Sequence, residues 1–440
     1  MDRRPQRDRP VSAAVPAPDA TDAAATERGT APLLPVILGA DIGVYALARS
    51  FHEAYGVRSI VVSGAALGPV ARSQIIDNVL LGPDATPEHM VDRLVELAAE
   101  HPGRRLVLLA NSDWLVRVVV RHRARLEPHY IVPFLSGDLL DRISDKATFA
   151  EICADLGIDV PRTIVQDFAG AGEAGWQPVA VDLDYPLIAK AASSADYQDV
   201  HFDGKKKVFE IASPAELDAL WVSLAAAGFR GRFVVQDLVP GDDTHMRSIT
   251  AYVDSRGAIT LLCSAHVLIE EHTPSGLGNP AAMITQRIDP MLEQARTFLT
   301  ATGYIGFANF DVKVDPRDGT YRFFEVNPRI GRNNYYLTAA GANPMRFLVG
   351  DRVDGLAVEP VVVDRQVLYS ILPHRLLLRY VLDPALNARV RALVKAGDVV
   401  HPLRYRGDRS LRRRAYVAAA LVNQVRKFRT YYPRPTSTGF

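Results

Sequence analysis

The sequence predicts a parallel α/β domain, then an α+β region, then a basic helical C-terminal segment. Short buried strands alternate with helices between residues 33 and 135, which is typical of a parallel sheet. Strands predominate between residues 186 and 326, and the turn-forming stretch 315–319 indicates an antiparallel hairpin. The length of 440 residues favours about two or three domains. The expected boundaries are 1–31, 32–135, 136–360 and 361–440.

The composition is typical of a soluble globular protein. Hydrophobic residues make up 48% of the chain, charged residues 23%, and the mean hydropathy is +0.01. These values exclude global disorder, collagen-like repeats and a polytopic membrane protein. Cys153 and Cys263 cannot build a disulfide framework or a cysteine zinc cluster, so a reducing cytoplasm is expected. Residues 1–31, rich in Ala, Pro, Asp and Arg, predict a disordered tail.

The first domain follows from three apolar runs with helices between them. Strands are expected at 33–38, 59–63 and 105–110, and helices at 43–55 and 87–100. Functional groups of a parallel sheet lie at the carboxyl ends of its strands. Asp41 follows the first strand at such an end. A functional role and a simple helix cap are equally good interpretations of this residue.

The second region begins with a helix over 145–156 that ends at Gly157. Strands are expected at 186–190, 233–236, 247–253, 259–266, 307–314 and 321–326. Helices are expected at 213–227 and 289–302. This order of elements predicts a mainly antiparallel sheet with helices beside it.

A group of oxygen ligands is predicted on the last hairpin. Glu325 and Asn327 lie two residues apart on one strand and therefore on one face. Asp311 lies on the partner strand and can face the same space. Three oxygen ligands suit Mg²⁺, with Mn²⁺ as an alternative, and Arg329 adds a planar cation beside them. The alternative interpretation is a solvated polar face of the sheet.

Two lysines and one connector suggest a nucleotide site. Lys190 ends an apolar run and Lys146 opens a helix, so each is either a phosphate-binding cation or a surface charge. The stretch 234–243, a strand that runs into a Pro-Gly connector, is either an adenine-binding edge or a plain turn. No Walker P-loop pattern occurs in the sequence.

The order and spacing of these segments resemble the ATP-grasp superfamily over roughly residues 33–350. The resemblance implies a Rossmann-like first domain, a lid at about 160–240 and a catalytic sheet at about 241–360. It implies ATP and Mg²⁺ as cofactors and an Asp311, Glu325 and Asn327 metal site. The residues that it assigns to the nucleotide are Lys146 and Lys190 for phosphates, Gln236, Asp237 and Val239 for adenine, and Asp243 for ribose.

Within that superfamily the sequence is most similar to the D-aspartate ligases of cell-wall synthesis. The segments that carry this similarity are 38–51, 235–247, 272–279, 306–318 and 329–332. The similarity implies that the β-carboxylate of D-aspartate is phosphorylated. The side-chain amine of a diamino acid in a peptidoglycan precursor then attacks the acyl phosphate.

Three arginines are the candidate catalytic residues for that reaction. Arg329 would stabilise the tetrahedral oxyanion, and Arg247 or Arg332 would bind the substrate carboxylate. An ion pair with Asp242 or Asp243 is an equally good interpretation of Arg247. The loop 273–279 is expected either to close over the substrate or to be a mobile surface loop.

The C-terminal segment is strongly basic. Residues 365–440 contain 16 Lys and Arg against 3 Asp and Glu, a net charge of +13, so the rest of the chain carries −12. One interpretation is a dock for an anionic precursor or for an anionic membrane surface through 404–429, at the inner face of the membrane. The other is a solvated helical cap. No aromatic and basic RNA-binding motif supports a nucleic-acid partner.

Two further functional hypotheses remain open at the level of sequence. One is an ATP-grasp ligase that makes a dipeptide or amide in specialised metabolism. The other is a nucleotide-binding sensor without catalysis. The presence of both lysines and all three predicted metal ligands argues against this second hypothesis.

Overall fold

The computed structural model describes residues 31–436, apart from 194–195, 198–199 and 275. The predicted disordered tail therefore lies outside the described residues, except for Ala31. Three β-sheets and their helices make up the described part of the chain. The first and third sheets share one continuous hydrophobic core, and the second sheet has a core of its own. The domain boundaries given above stay predictions.

The N-terminal sheet is parallel, as predicted. The element bounds are β1 Leu33–Leu38, β2 Ser59–Ser63, β3 Ile76–Leu80, β4 Arg105–Ala110, α1 Ile42–Tyr55, α2 Pro87–Glu100, α3 Asp113–Arg121 and α4 Arg123–Leu126. The strand order is β3-β2-β1-β4. β3 was not predicted from the sequence, because exposed and half-exposed side chains interrupt its apolar pattern.

The second sheet is antiparallel and lies against its own helix. The bounds of this region are α5 Gly137–Ser144, α6 Lys146–Asp155, β5 Thr163–Asp167, β6 Leu187–Ala191, β7 Phe209–Ile211, α7 Pro214–Ala226 and β8 Arg232–Asp237. The strand order is β5-β8-β6-β7. Phe168, Phe229 and Trp221 pack edge to face in its core. Such ring pairs stabilise beyond their buried area, so a small sheet can hold its shape.

The third sheet carries most of the candidate site. Its bounds and those of its helices are β9 Met246–Val253, β10 Ile259–Glu270, β11 Pro280–Thr285, α8 Asp289–Ala301, β12 Gly306–Val314, β13 Tyr321–Asn327, α9 Tyr335–Ala339, α10 Pro344–Arg352, β14 Val361–Val362, β15 Leu368–Ser370 and β16 Val399–Val400. The order is β13-β12-β9-β10-β11-β15-β16, and β14 pairs with β10. The predicted hairpin is present, since the Gly319 N–H donates to the Asp315 carbonyl oxygen at 2.8 Å.

The C-terminal segment is basic and mostly helical, as predicted. Its helices are α11 His374–Tyr380, α12 Pro384–Ala396 and α13 Leu411–Tyr431. β14, β15 and β16 also fall in this segment and were not predicted, because two or three residues are too few for a readable alternation. None of the helices in the described ranges is long and apolar enough to cross a membrane.

The C-terminal helix is joined to the N-terminal domain by a buried arginine. Arg413 is 1% exposed, and its guanidinium lies 4.1 Å from the ring centroid of Tyr45. It also lies 3.5 Å from the Asp408 carboxylate, which accepts a 3.0 Å hydrogen bond from the Tyr45 hydroxyl. Part of the basic charge is therefore structural and does not face solvent.

Candidate functional site

The three predicted metal ligands lie together on one face of the third sheet. In the β12–β13 register Asp311 pairs with Glu325, and Asn309 pairs with Asn327. The Asn327 amide donates to Asp311 Oδ2 at 3.1 Å, and the Asn309 amide donates to Asp311 Oδ1 at 3.4 Å. A bulge follows Asp311. The hairpin thus brings two carboxylates and two amides into one cluster.

The charges of this cluster favour an added cation. Burial and the neighbouring Glu325 raise the pKa of Asp311. Burial also raises the pKa of Glu325, but Lys146 and Lys190 outweigh it and lower that pKa overall. Among the described residues no cationic side chain forms an ion pair with Asp311. Mg²⁺ prefers such oxygen donors, so the residues present fit a divalent ion.

The two predicted phosphate-binding lysines converge on the same cluster from different elements. Lys146 is the first residue of α6, and its Nζ lies 3.3 Å from Glu325 Oε2. Lys190 lies on β6, with its Nζ 5.6 Å from the Phe324 ring centroid. Burial and the nearby Lys146 lower the pKa of Lys190 to about 8. Two cations held this close are suited to a group with several negative charges.

A third lysine near this cluster was missed by the sequence analysis. The charge of Lys207 contributes to lowering the pKa of both Lys190 and Glu325, so it lies near them. Lys207 ends the run Lys205–Lys207, in the connection between β6 and β7. That run of three lysines was the available signal in the sequence.

The predicted adenine edge lies at the end of β8. Gln236 is 4% exposed, and its amide donates to Thr163 Oγ1 at 2.9 Å. The Asp237 N–H already donates to the Arg162 carbonyl oxygen at 3.1 Å, so it is not available to a base. Val239 is 3% exposed, and its N–H has no partner within the described ranges. An unpaired buried N–H is well suited to a nucleobase acceptor.

Asp243, the predicted ribose ligand, is held by two donors. Its Oδ2 accepts hydrogen bonds from the Glu270 N–H at 2.9 Å and from His272 Nε2 at 2.8 Å. The His272 ring stacks on Tyr432 at 3.5 Å between centroids, with the planes 4° apart. The C-terminal segment therefore touches the predicted nucleotide site, through a contact that sequence spacing does not indicate.

Arg329 bridges the first domain and the cluster of carboxylates and amides on the β12–β13 hairpin. Its Nε donates to Asp113 Oδ1 at 2.8 Å, and its Nη2 donates to Asn327 Oδ1 at 3.2 Å. Burial lowers the pKa of Arg329, but Asp113 raises it and the net shift is upward. The guanidinium is thus a permanent cation beside the cluster. Asp113, in the first turn of α3, was not predicted.

Arg332 lies at the centre of a group of alternating charges. Its Nε lies 3.0 Å from Asp41 Oδ2, and its Nη1 donates to Glu271. Lys427 of α13 reaches the other oxygen of Glu271 at 3.7 Å. Asp41 also caps α1 by accepting from the Gly43 N–H at 2.9 Å, which confirms the helix-cap interpretation, and a functional role for Asp41 stays a prediction. Glu271 and Lys427 were missed because no local motif marks them.

Arg247 does not join these groups. In the β9–β12 register Arg247 pairs with Val312, whereas Ser248 pairs with Asp311, so Arg247 lies on the opposite face of the sheet. Its guanidinium donates to the Thr244 and Met246 carbonyl oxygens at 2.8 Å. Within the described chain it does not form the alternative ion pair with Asp242 or Asp243, which lie beside His245 and His272 instead. The contact of Arg247 with a substrate carboxylate stays a prediction.

The loop 273–279 is anchored at both ends. The Glu271 N–H donates to the Asn279 carbonyl oxygen at 2.8 Å, and the Gly276 N–H donates to the Thr273 carbonyl oxygen at 2.9 Å. The loop starts beside Glu271, so it borders the Arg332 group. Its closure over a substrate stays a prediction.

This chain is similar to known proteins in both sequence and fold. The sequence profile of the carbamoyl-phosphate synthase L chain ATP-binding domain matches residues 145–341. The D-aspartate ligase of Enterococcus faecium (strain Aus0004) is 30% identical over 410 residues, which cover 91% of this chain and 96% of that protein.

Two solved structures have the same fold. The L-amino acid ligase of Bacillus licheniformis has a TM-score of 0.52 at 14% identity, covering 74% of this chain and 75% of its own. The biotin carboxylase domain of the Hydrogenobacter thermophilus 2-oxoglutarate carboxylase, solved with MgADP, ADP and bicarbonate, has a TM-score of 0.53 at 15% identity. It covers 74% of this chain and 71% of its own. The predicted ATP-grasp fold is confirmed.

Proposed function

Because this chain belongs to the family of ATP-grasp ligases that includes D-aspartate ligase, we propose that it uses ATP to activate the β-carboxylate of D-aspartate and joins it to an amine of a peptidoglycan precursor. The observation that carries this proposal is the 30% identity to a D-aspartate ligase over 91% of the chain. The charged groups around Arg329 and Arg332 support this proposal. The reaction must bind carboxylates, an ammonium group and an oxyanion, and these side chains offer the opposite charges.

A divalent ion would be held by Asp311, Glu325 and Asn327. Mg²⁺ fits this oxygen donor set, and Mn²⁺ prefers similar donors. When bound, the ion would neutralise phosphate charge. The three side chains lie on a two-stranded hairpin, so the fold holds them without a ligand.

The nucleotide phosphates would be bound by lysines. Lys146 and Lys190 flank Glu325 from two separate elements, and Lys207 lies near them. The adenine would pack at the end of β8, close to the Val239 N–H, which has no partner among the described residues. Asp243 would accept from ribose hydroxyls, because its Oδ1 is not engaged by the two donors that hold Oδ2.

The amino acid would bind in the Arg332 group. D-aspartate carries two carboxylates and one ammonium, and this group offers two cations and two carboxylates. Arg332 and Lys427 suit the α-carboxylate, and Asp41 and Glu271 suit the ammonium. Before binding, these side chains pair with one another, so the cations and carboxylates are already positioned for the amino acid.

Catalysis requires that two anions approach each other. ATP and the β-carboxylate repel, and fixed cations around both lower this barrier. Arg329, held by Asp113 and Asn327, lies between the metal cluster and the first domain and would donate to the oxyanion that forms when the amine attacks. The loop 273–279 would exclude water and so protect the acyl phosphate from hydrolysis.

We place the reaction in the cytoplasm, where ATP is available and thiols stay reduced. Cys153 and Cys263 are both buried and free, which agrees with that compartment. A contact of residues 404–429 with the inner membrane surface would bring the enzyme to lipid-linked precursors. No nucleic-acid partner is proposed.

The test is ADP release with Mg²⁺ and ATP across D- and L-amino acids, with and without a peptidoglycan precursor. We expect full turnover only with D-aspartate and precursor together. Turnover on pairs of free amino acids would move the enzyme to dipeptide synthesis. Tight ATP binding without turnover on any carboxylate would favour the nucleotide sensor.

A further inference from the structure

A large cavity lies between the first helix and the C-terminal segment, outside the groups assigned above. Its volume is about 590 Å³. Its apolar walls come from β16, from the residues before α11 and from Leu421 of α13. Its polar walls include Ser370, Tyr405 and six ionisable side chains, which are Arg49, Glu53, His374, His401, Arg404 and Arg406.

Two arginines in this cavity have no carboxylate within ion-pair distance among the residues that the structure describes. Arg49 is occupied, since its Nε lies 2.8 Å from Glu53 Oε1 and its Nη1 donates to the Pro402 carbonyl oxygen at 2.8 Å. Arg404 and Arg406 are exposed, and within the described part of the chain no carboxylate lies within ion-pair distance of either. The cavity therefore carries two uncompensated positive charges.

The histidines add neutral hydrogen-bonding groups to these charges. Burial and the charge of Arg404 lower the pKa of His374, and the same two causes lower the pKa of His401 to about 3. His401 Nδ1 accepts from the Leu403 N–H at 3.2 Å, which leaves its Nε2–H as a donor. Two guanidinium groups with imidazole donors are typical of a site for phosphate.

The cavity is connected to the amino-acid site by the C-terminal helix. Leu421 lines the cavity, and Gln424 and Phe428, on the same face of the helix, lie against Glu271 and His272. Seven residues of helix span about 10 Å. One elongated ligand could therefore place one end in the cavity and the other beside the Arg332 group.

We propose that this cavity binds a phosphate or diphosphate group of the amine substrate, an inference that rests on the proposed function. Arg404 and Arg406 contact the phosphate oxygens, and the amine end extends along α13 towards Glu271. The site is concave, so it fits a discrete anionic group better than it fits a flat membrane surface. The phosphate comes from either a nucleotide-linked or a lipid-linked precursor.

The binding test uses inorganic pyrophosphate and calorimetry without divalent ions. The variants are the double substitution Arg404→Gln with Arg406→Gln and the control Arg409→Gln, an exposed arginine of the same loop outside the cavity lining. Pyrophosphate that binds at the nucleotide site should bind equally to the parent, the double variant and the control, so it does not affect the comparison. We expect the double variant to bind pyrophosphate at least about tenfold more weakly, and the control to bind within about twofold of the parent.

Kinetics then identify the source of the phosphate. In the double variant KM should rise about tenfold for the precursor that carries the phosphate, nucleotide-linked or lipid-linked, while kcat and the KM for ATP stay unchanged. A phosphate-free peptide amine should show no change. Unchanged pyrophosphate binding in the double variant overturns the inference, and so does an equal loss in Arg409→Gln. Arginine-dependent pelleting with anionic vesicles, without a pyrophosphate difference, assigns this surface to the membrane instead. Because pyrophosphate binding needs no turnover, its outcome is separate from whether D-aspartate is the substrate.

Discussion

Replacement of Tyr432 by leucine should weaken ATP binding, although Tyr432 lies 189 positions after Asp243. The Tyr432 ring stacks on His272 at 3.5 Å, and His272 in turn donates to Asp243 at 2.8 Å. Loss of an aromatic pair costs about 0.5–1.5 kcal/mol, and about 1.4 kcal/mol corresponds to a tenfold change in binding. The KM for ATP should therefore rise about two- to twelvefold, with kcat little changed.

The assay is initial-rate ADP release against ATP concentration at saturating amino acid and amine. Tyr432→Phe is the matched control, because it keeps the stacked ring and loses only the hydroxyl contacts with Thr436. His272→Gln should raise the KM as Tyr432→Leu does. If Tyr432→Leu is folded by circular dichroism and has the KM of the parent, the link between the C-terminal segment and the nucleotide site is refuted.

Three further substitutions test other parts of the structure. Glu325→Gln should abolish ADP formation without loss of thermal stability. The control Asp318→Asn, in the turn of the same hairpin, should leave ADP formation unchanged. Undiminished turnover of Glu325→Gln would remove the metal assignment. Gly43→Ala should lower the free energy of unfolding, measured in urea, by about 1–3 kcal/mol. The reason is that the alanine methyl group would lie 2.8 Å from the Arg332 carbonyl oxygen. A gain in stability, as expected for alanine in a free helix, would contradict this packing. Arg413→Met should lower the free energy of unfolding by about 3–5 kcal/mol, since it leaves the Asp408 carboxylate buried without its cation. An unchanged unfolding curve would show that this pair does not stabilise the fold.

The grouping of Asp311, Glu325 and Asn327 was predictable because its geometry is local. Asp311 and Glu325 are joined by a short hairpin, and strand alternation then determines that Glu325 and Asn327 share a face. The two lysines were recognisable by their positions at the start of a helix and near the end of a buried strand. The order of the elements located these residues, whereas their phosphate and metal roles came from the resemblance to the ATP-grasp superfamily.

The surroundings of Arg247 and the residues that were not predicted both depend on contacts between distant parts of the chain. Which face of β9 carries Arg247 depends on its register with β12, and a change of one residue reverses the answer. Glu271 meets Lys427 only because α13 packs across the end of β10, at a separation of 156 residues. Long-range packing of this kind has no periodic signal in a single sequence.

Hydroxylamine trapping detects the acyl phosphate that we propose on the β-carboxylate of D-aspartate. With ATP, Mg²⁺, D-aspartate and hydroxylamine in place of the precursor, we predict the β-hydroxamate of D-aspartate and an equal amount of ADP. Glu325→Gln should form neither product. Formation of the hydroxamate from L-aspartate alone, or release of ADP without any hydroxamate, would contradict the account.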